Sequence, residues 1–224
     1  MEQPVISNFK RKETLFVLGC MGITLVVTLL SAHFKTGYWS AFALATGMYG
    51  IMAIFAFTQN DLFLKQLLLF GLIAGVVELL ADCWLVETAQ NLVYPANEPK
   101  LLCSPNYMPF AWAVVLVQVG YLGYLISSKV KMLEAMLLSM LIGMVFIPVF
   151  EQCAYWAEWW YYKPSKMLLN TPWYIIMAEG IICFFLPAIF FVETKKRTIA
   201  TILFGLAQGL LIFIAYYISY KLIE

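Results

Sequence analysis

Seven apolar runs, each long enough to cross a bilayer, constrain this chain more than any other feature. They fall at about 15–32, 39–57, 64–86, 109–126, 132–150, 173–192 and 198–220. An α-helix rises 1.5 Å per residue, so runs of this length span the ~30 Å of hydrocarbon. Lipid offers no water to unpaired backbone groups, and a helix satisfies them internally. The expectation is an all-α polytopic membrane protein whose seven transmembrane helices form one integral membrane domain over residues 1–224. Composition agrees: 12% of residues are charged, against about a quarter in a soluble domain. The first run is longer than a signal-peptide core and lacks a clear small-residue cleavage site, so it is read as a retained helix. Gly47 and Gly50 predict close helix contact in the second run.

Seven spans place the termini on opposite sides. Of the 14 Lys and Arg residues, nine (10, 11, 12, 65, 129, 131, 195, 196 and 197) fall on the N-terminal side and five (35, 100, 163, 166 and 221) on the other. Two of the nine-residue set's clusters abut helix ends, so the N-terminus is expected to be cytoplasmic. The two long connections, about 87–108 and 151–171, then lie outside, and the inner connections are short. With a net charge of +1 and no charged tail, nucleic acid is not an expected partner. The expected setting is a bacterial inner membrane or an ER-type membrane.

Acids inside these runs are the clearest functional signal, because carboxylates in hydrocarbon are costly. Glu78 and Asp82 are spaced i,i+4, which puts them on one helix face about 6 Å apart. Two like carboxylates in low dielectric cannot both ionise cheaply, so they share a proton, as a general acid requires. The bland alternative is a pair satisfied by hydroxyls and amides of neighbouring helices. By helical rise, Glu78 lies ~12 Å and Glu179 ~10 Å below the outer helix ends. Glu151 follows Pro148 at the outer end of the fifth run, and Gln118 reaches a comparable depth in the fourth. Together they predict one polar pocket, whereas Glu158 is expected at the interface. No Lys or Arg lies within a span to neutralise these acids.

Aromatic residues crowd the same level: Trp84, Tyr94, Tyr107, Phe110, Trp112, Tyr155, Trp156, Trp159, Trp160, Tyr161, Tyr162, Trp173 and Tyr174. An interfacial belt accounts for about half of them. The rest suit a wall of π faces that holds a cationic intermediate. Tyr94, Tyr107, Trp112, Trp156, Trp159, Trp160 and Trp173, with Gln118, are the expected substrate-binding residues. Gln90 and Asn91 are placed to orient a water. The five cysteines (Cys20, Cys83, Cys103, Cys153 and Cys183) show no CxxC spacing and His33 is the sole histidine, so neither a zinc site nor a Cys–His nucleophile is expected. Cys83, Cys103 and Cys153 share the outer side; buried free thiols are the expectation, with a disulfide among them the alternative. A DDxxD motif, a P-loop, a GxSxG and a histidine cluster are all missing. Lys221 lies too near the end of the last run for a retinal Schiff base.

A weak internal repeat is also present. Glu78, Tyr94-Pro95, Pro109 and Trp112 in the first long hairpin answer to Glu151, Tyr162 and Pro164, Pro172 and Trp173 in the second. The hairpins run in the same direction, so the repeat is parallel.

At these residues the chain resembles small polytopic carotenoid enzymes: the carotenoid 1,2-hydratases and, more distantly, the membrane-integral lycopene cyclases. The hydratase order of acid-bearing helix, tyrosine loop and PxxxPxAW-like helix start reads here Glu78, Tyr94, then Pro105 to Trp112. Its second half reads Glu151, Trp159-Trp160-Tyr161-Tyr162, then Pro172-Trp173-Tyr174 and Gly180. The second acid is Glu where that family has Asp, and the asparagine and last tryptophan of its second helix start are missing. In size and in its few buried acids the chain also resembles the membrane-bound terpene cyclases of meroterpenoid pathways. The resemblance covers roughly residues 70–185. It implies cofactor-free, metal-free, acid-initiated cyclisation or hydration of a lipophilic isoprenoid or carotenoid met within membrane lipid. Glu78 would be the acid, Asp82 its partner, and Glu151 or Glu179 the base or cation stabiliser. The competing reading is a proton-coupled transporter or lipid-binding protein that uses the same acids.

Overall fold

The computed structural model describes residues 11–189 and 197–224. Among them are seven α-helices: α1 (Arg11–Phe34), α2 (Tyr38–Thr58), α3 (Leu62–Cys83), α4 (Met108–Ser127), α5 (Met132–Trp156), α6 (Trp173–Ile189) and α7 (Arg197–Ile223). Six are long and apolar enough to cross a membrane; α6, as described, is shorter. The expected end of the sixth span at 190–192, and Lys10, Lys195 and Lys196, lie outside the described residues. Helix boundaries follow local chemistry. The Asp61 carboxylate caps α3 by accepting from the Leu64 N–H at 3.1 Å. Pro109 sits in the first turn of α4, where it forfeits no hydrogen bond.

Helix α5 departs from its expected end at residue 150. It continues past Pro148 to Trp156, which places Glu151 inside the helix. Neighbouring helices in a bundle stabilise the backbone around such a proline. At the end of α3 the helix loosens into one π turn, Trp84–Thr88, before the chain leaves it.

The close helix contacts are not where Gly47 and Gly50 predicted them: a Cβ on either would meet nothing within 4 Å. They lie between α3 and α4, where a Cβ on Gly75 would stand 2.4 Å from the Pro109 carbonyl oxygen, and between α5 and α6 at Gly143. The small residues sit where backbones touch, which is how helices associate in a solvent as apolar as their own side chains.

The two long connections are folded. In the first, β1 (Leu92–Val93) precedes a tight hairpin of β2 (Lys100–Leu101) and β3 (Ser104–Pro105). In the second, β4 (Tyr161–Tyr162) precedes a hairpin of β5 (Met167–Leu168) and β6 (Thr171–Pro172). The matching strands β1 and β4 pair antiparallel, Leu92 opposite Tyr162 and Val93 opposite Tyr161, so a local two-fold relates the connections. Each hairpin turn opens on a leucine in left-handed conformation, Leu102 at φ 57° and Leu169 at φ 56°. The shared sequence is Leu-Leu-x-Ser/Thr-Pro at 101–105 and 168–172. This corrects the alignment read from sequence: Pro105, not Pro109, corresponds to Pro172. Asp82, ten residues ahead of β1, corresponds to Glu151, ten ahead of β4. Trp112 and Glu179 then match, each seven residues beyond its hairpin proline.

The first hairpin is bonded to α3 by a Cys83–Cys103 disulfide with Cα atoms 5.0 Å apart. The expectation of free thiols fails here because the β2–β3 turn swings Cys103 back over the end of the helix. Cys20, Cys153 and Cys183 are free and buried.

Candidate functional site

Four acids in three helices meet beneath the paired connections. Glu78 and Asp82 on α3, Glu151 on α5 and Glu179 on α6 are all buried, and Glu78 has no exposed surface. Glu78 interacts with Asp82 and Trp112 and lies within electrostatic reach of Glu179; Glu151 lies within reach of both Glu179 and Asp82. The helical spacing at 78 and 82 supplies one pair, and the two-fold supplies the Asp82–Glu151 relation.

Their hydrogen bonds are unequal. Asp82 accepts from the Tyr94 hydroxyl at 2.6 Å and the Ser104 hydroxyl at 2.7 Å. Glu151 accepts from the Trp160 indole N–H at 2.6 Å, and Glu179 from the Tyr216 hydroxyl at 2.6 Å. Neither carboxyl oxygen of Glu78 has a hydrogen-bond partner; the Trp112 indole N–H lies close by but outside hydrogen-bonding geometry. Donors to a carboxylate are worth about 1.5–3 kcal/mol each, so the negative charge belongs on Asp82 and the proton on Glu78. The phenols are firm donors: burial, then the Asp82 charge, holds Tyr94 well above the usual phenol range. Burial does the same for Tyr162, whose hydroxyl is also close to Glu151.

Aromatic rings close around the acids. Tyr94 meets Trp160 edge-on with centroids 6.4 Å apart, and Trp112 meets Tyr216 at 6.5 Å. Tyr107 is buried at the start of α4. Of the residues predicted from sequence, Glu78, Asp82, Glu151, Glu179, Tyr94, Tyr107, Trp112 and Trp160 come together.

Others do not. The Gln118 amide turns away from the acids to donate to Thr24 on α1 at 3.0 Å, because its position lies on another face of α4 from Trp112. Trp156 and Trp173 are about half exposed at helix ends, as an aromatic belt requires. Trp159 is buried, but its indole N–H donates to Ser40 and ties the second connection to α2. Gln90 is exposed, and the Asn91 side chain is used between Tyr174 and the Lys163 carbonyl, so neither is free to orient a water. Ser104 and Tyr216 were missed. The repeated Leu-Leu-x-Ser/Thr-Pro marks Ser104 once noticed; nothing in the run of α7 distinguishes Tyr216 from Tyr217. Among the described residues, no three or more His, Cys, Asp or Glu side chains are grouped to hold a metal ion.

Comparison with curated proteins and with solved structures returns no match. A sequence family does match, over residues 79–223. That range takes in Asp82, Glu151, Glu179, both folded connections and α4 to α7, and it exceeds half the chain. The chain therefore belongs to DUF6989, a domain-of-unknown-function family.

Proposed function

We propose that this protein is an integral membrane enzyme that starts an acid-initiated cyclisation or hydration of a lipophilic isoprenoid. The observation that carries the reading is the unequal treatment of the paired acids: Asp82 has two hydroxyl donors and Glu78 has none. A carboxyl held neutral beside a stabilised carboxylate is a proton donor at neutral pH. Glu78 would protonate an alkene or epoxide. The faces of Trp112, Tyr94 and Trp160 would stabilise the resulting cation. Glu179 or Glu151, each with a single donor, would take the final proton or steer a water. The resemblance to carotenoid hydratases and membrane-bound terpene cyclases supports the same chemistry.

The same reading sets the connections on the outer, oxidising side and the N-terminus in the cytoplasm. The excess of Lys and Arg on the N-terminal side and the Cys83–Cys103 disulfide both support that orientation.

The test is mass spectrometry of lipid extracts from cells carrying the gene or its Glu78→Gln variant. A product isomeric with its precursor marks cyclisation, and a gain of one water marks hydration. The variant should fold and extract normally yet form neither product. Full turnover by Glu78→Gln would overturn the assignment. Gene-dependent movement of a lipid or proton with no new compound would favour the transporter reading.

A further inference from the structure

The two hairpins that cover the acids are held down differently. Cys83 follows Asp82 on α3, Cys103 follows the left-handed Leu102 of the first turn, and a disulfide joins them. Their two-fold equivalents are Gln152, which follows Glu151 on α5, and Asn170, which follows the left-handed Leu169. There the Asn170 side-chain amide donates to the Gln152 amide oxygen at 2.7 Å, a partly buried hydrogen bond where the first hairpin has a covalent one. The next residues differ too. Ser104 donates to Asp82 at 2.7 Å, whereas Thr171 is fully buried with its hydroxyl unpaired, on a strand that packs against α5 and α6. Burying an unpaired hydroxyl costs free energy, so it destabilises the closed position of the second hairpin and not of the first.

Both feet of the second hairpin are pinned. At one, the Lys163 N–H donates to the Asn91 carbonyl at 2.7 Å, and the Asn91 side-chain amide donates back to the Lys163 carbonyl at 3.2 Å. At the other, the Tyr174 hydroxyl donates to the same Asn91 side chain at 2.7 Å. One asparagine of the first connection thus fixes both ends of the segment 164–173. A further tether, from exposed Lys166 to the Ile223 carbonyl and the Glu224 carboxylate, lies in solvent, where such contacts contribute little. We infer that the second hairpin is a lid, hinged at its feet on Asn91 and latched by Gln152–Asn170, that opens to admit a lipophilic molecule to the acid cluster. The acids are buried beneath both hairpins, and the first is bonded shut. Leu168 and Leu169 make the exposed tip apolar, and the half-exposed Trp156 and Trp173 flank the lid in the membrane interface, beside the lipid in which such a molecule dissolves. That the molecule is the substrate rests on the reading of the acids as catalytic.

The hairpins carry matched reporters. The Asn106 N–H closes the first by donating to the Pro99 carbonyl at 2.9 Å, and the Trp173 N–H closes the second by donating to the Lys166 carbonyl at 2.8 Å. The experiment is amide hydrogen exchange of the full chain in phosphatidylcholine bilayers, read at these two amides and corrected for their intrinsic rates. Trp173 should exchange roughly tenfold or more faster than Asn106. In the double variant Gln152→Cys, Asn170→Cys, which copies the first hairpin's bond onto the second, Trp173 should slow to the Asn106 rate. Equal protection at both amides of the parent would overturn the lid, as would a Trp173 rate unchanged by the added bond. If the double variant fails to fold or to form its bond, Asn170→Ala decides: Trp173 exchange should quicken while Asn106 holds, and an unchanged Trp173 rate would overturn the lid. Lipid extracts separate the lid from the chemistry. Where the parent forms the cyclised or hydrated product, the bonded variant should form roughly tenfold less, and full output from it would overturn the hairpin as the entrance. A parent that forms no product overturns the catalytic reading and leaves the exchange comparison to decide the lid.

Discussion

Removing the Cys83–Cys103 disulfide tests whether the first connection is a bonded cap or a loop resting on the bundle. The bond closes a loop with a sequence separation of 20 residues. Cross-linking such a segment removes denatured-state entropy worth about 3 kcal/mol at 25 °C. The figure is robust to the state of the unfolded chain. If α3 and its π turn persist to Thr88 in detergent, ~15 residues remain free, and the logarithmic dependence still gives about 3 kcal/mol. A second contribution comes from the site. The turn that holds Cys103 also holds Ser104, whose hydroxyl donates to Asp82 at 2.7 Å. If the freed hairpin lifts, Asp82 loses one of its two donors, at about 1.5–3 kcal/mol for a charged acceptor. The double variant Cys83→Ala, Cys103→Ala should therefore lose about 3 kcal/mol, rising towards 6 where the hairpin detaches. Denaturant unfolding in detergent, followed by tryptophan fluorescence, measures the loss. Ser104→Ala with the bond intact isolates the second contribution. A double variant within about 0.5 kcal/mol of the parent would refute the reasoning, because the loop would then not be constrained by the bond.

Gly75→Ala should destabilise the bundle by about 1–3 kcal/mol or more in thermal unfolding, since the added Cβ meets the carbonyl oxygen, carbonyl carbon and Cα of Pro109, all backbone atoms that cannot swing aside. Gly47→Ala, which meets nothing within 4 Å, should be neutral or slightly stabilising. Glu98 predicts a pH dependence of stability. Burial holds its carboxyl at about 7, above the ordinary carboxylate value, so the fold favours the protonated form. The corresponding stability is complete at acid pH and lost as pH rises from the ordinary carboxylate value through about 7. Melting temperatures of the parent should fall relative to Glu98→Gln over that window, and parallel profiles would count against it.

The transmembrane scaffold was legible in the sequence because hydrocarbon thickness dictates run length, and six of the seven expected spans meet that length among the described residues. The acids were legible for the same reason: Glu78 and Asp82 stand out against apolar neighbours at helical spacing. Partners were harder to find. Tyr94 and Trp160 come from connections whose folding depends on long-range strand pairing, with Leu92 opposite Tyr162. Trp156 and Trp160 look alike in sequence, yet one faces outward at a helix end and the other donates to Glu151. The difference lies in the left-handed Glu158 between them, at φ 63°, which reverses the chain. The disulfide was hidden for a related reason, since its two cysteines meet only once the β2–β3 turn has formed.

The local two-fold explains how one chain builds two unlike poles. Equivalent acids stand at Asp82 and Glu151, each just inside its helix end and each beneath a Leu-Leu-x-Ser/Thr-Pro hairpin. Ser104 in the first hairpin bonds Asp82, whereas its counterpart Thr171, fully buried, leaves its hydroxyl unpartnered. The position after each hairpin also diverges, with Trp112 in one half and Glu179 in the other. A symmetric site would give the two equivalent acids one environment, and one proton shared evenly between them has no direction to move. Here the α3 pole gives both its hydroxyl donors to Asp82 and none to Glu78, while Glu151 has one indole donor and Glu179 one phenol from α7. In the proposed reaction that inequality is the driving asymmetry: the proton leaves from the pole where a neighbouring carboxylate is already stabilised, and returns at the pole where it is not.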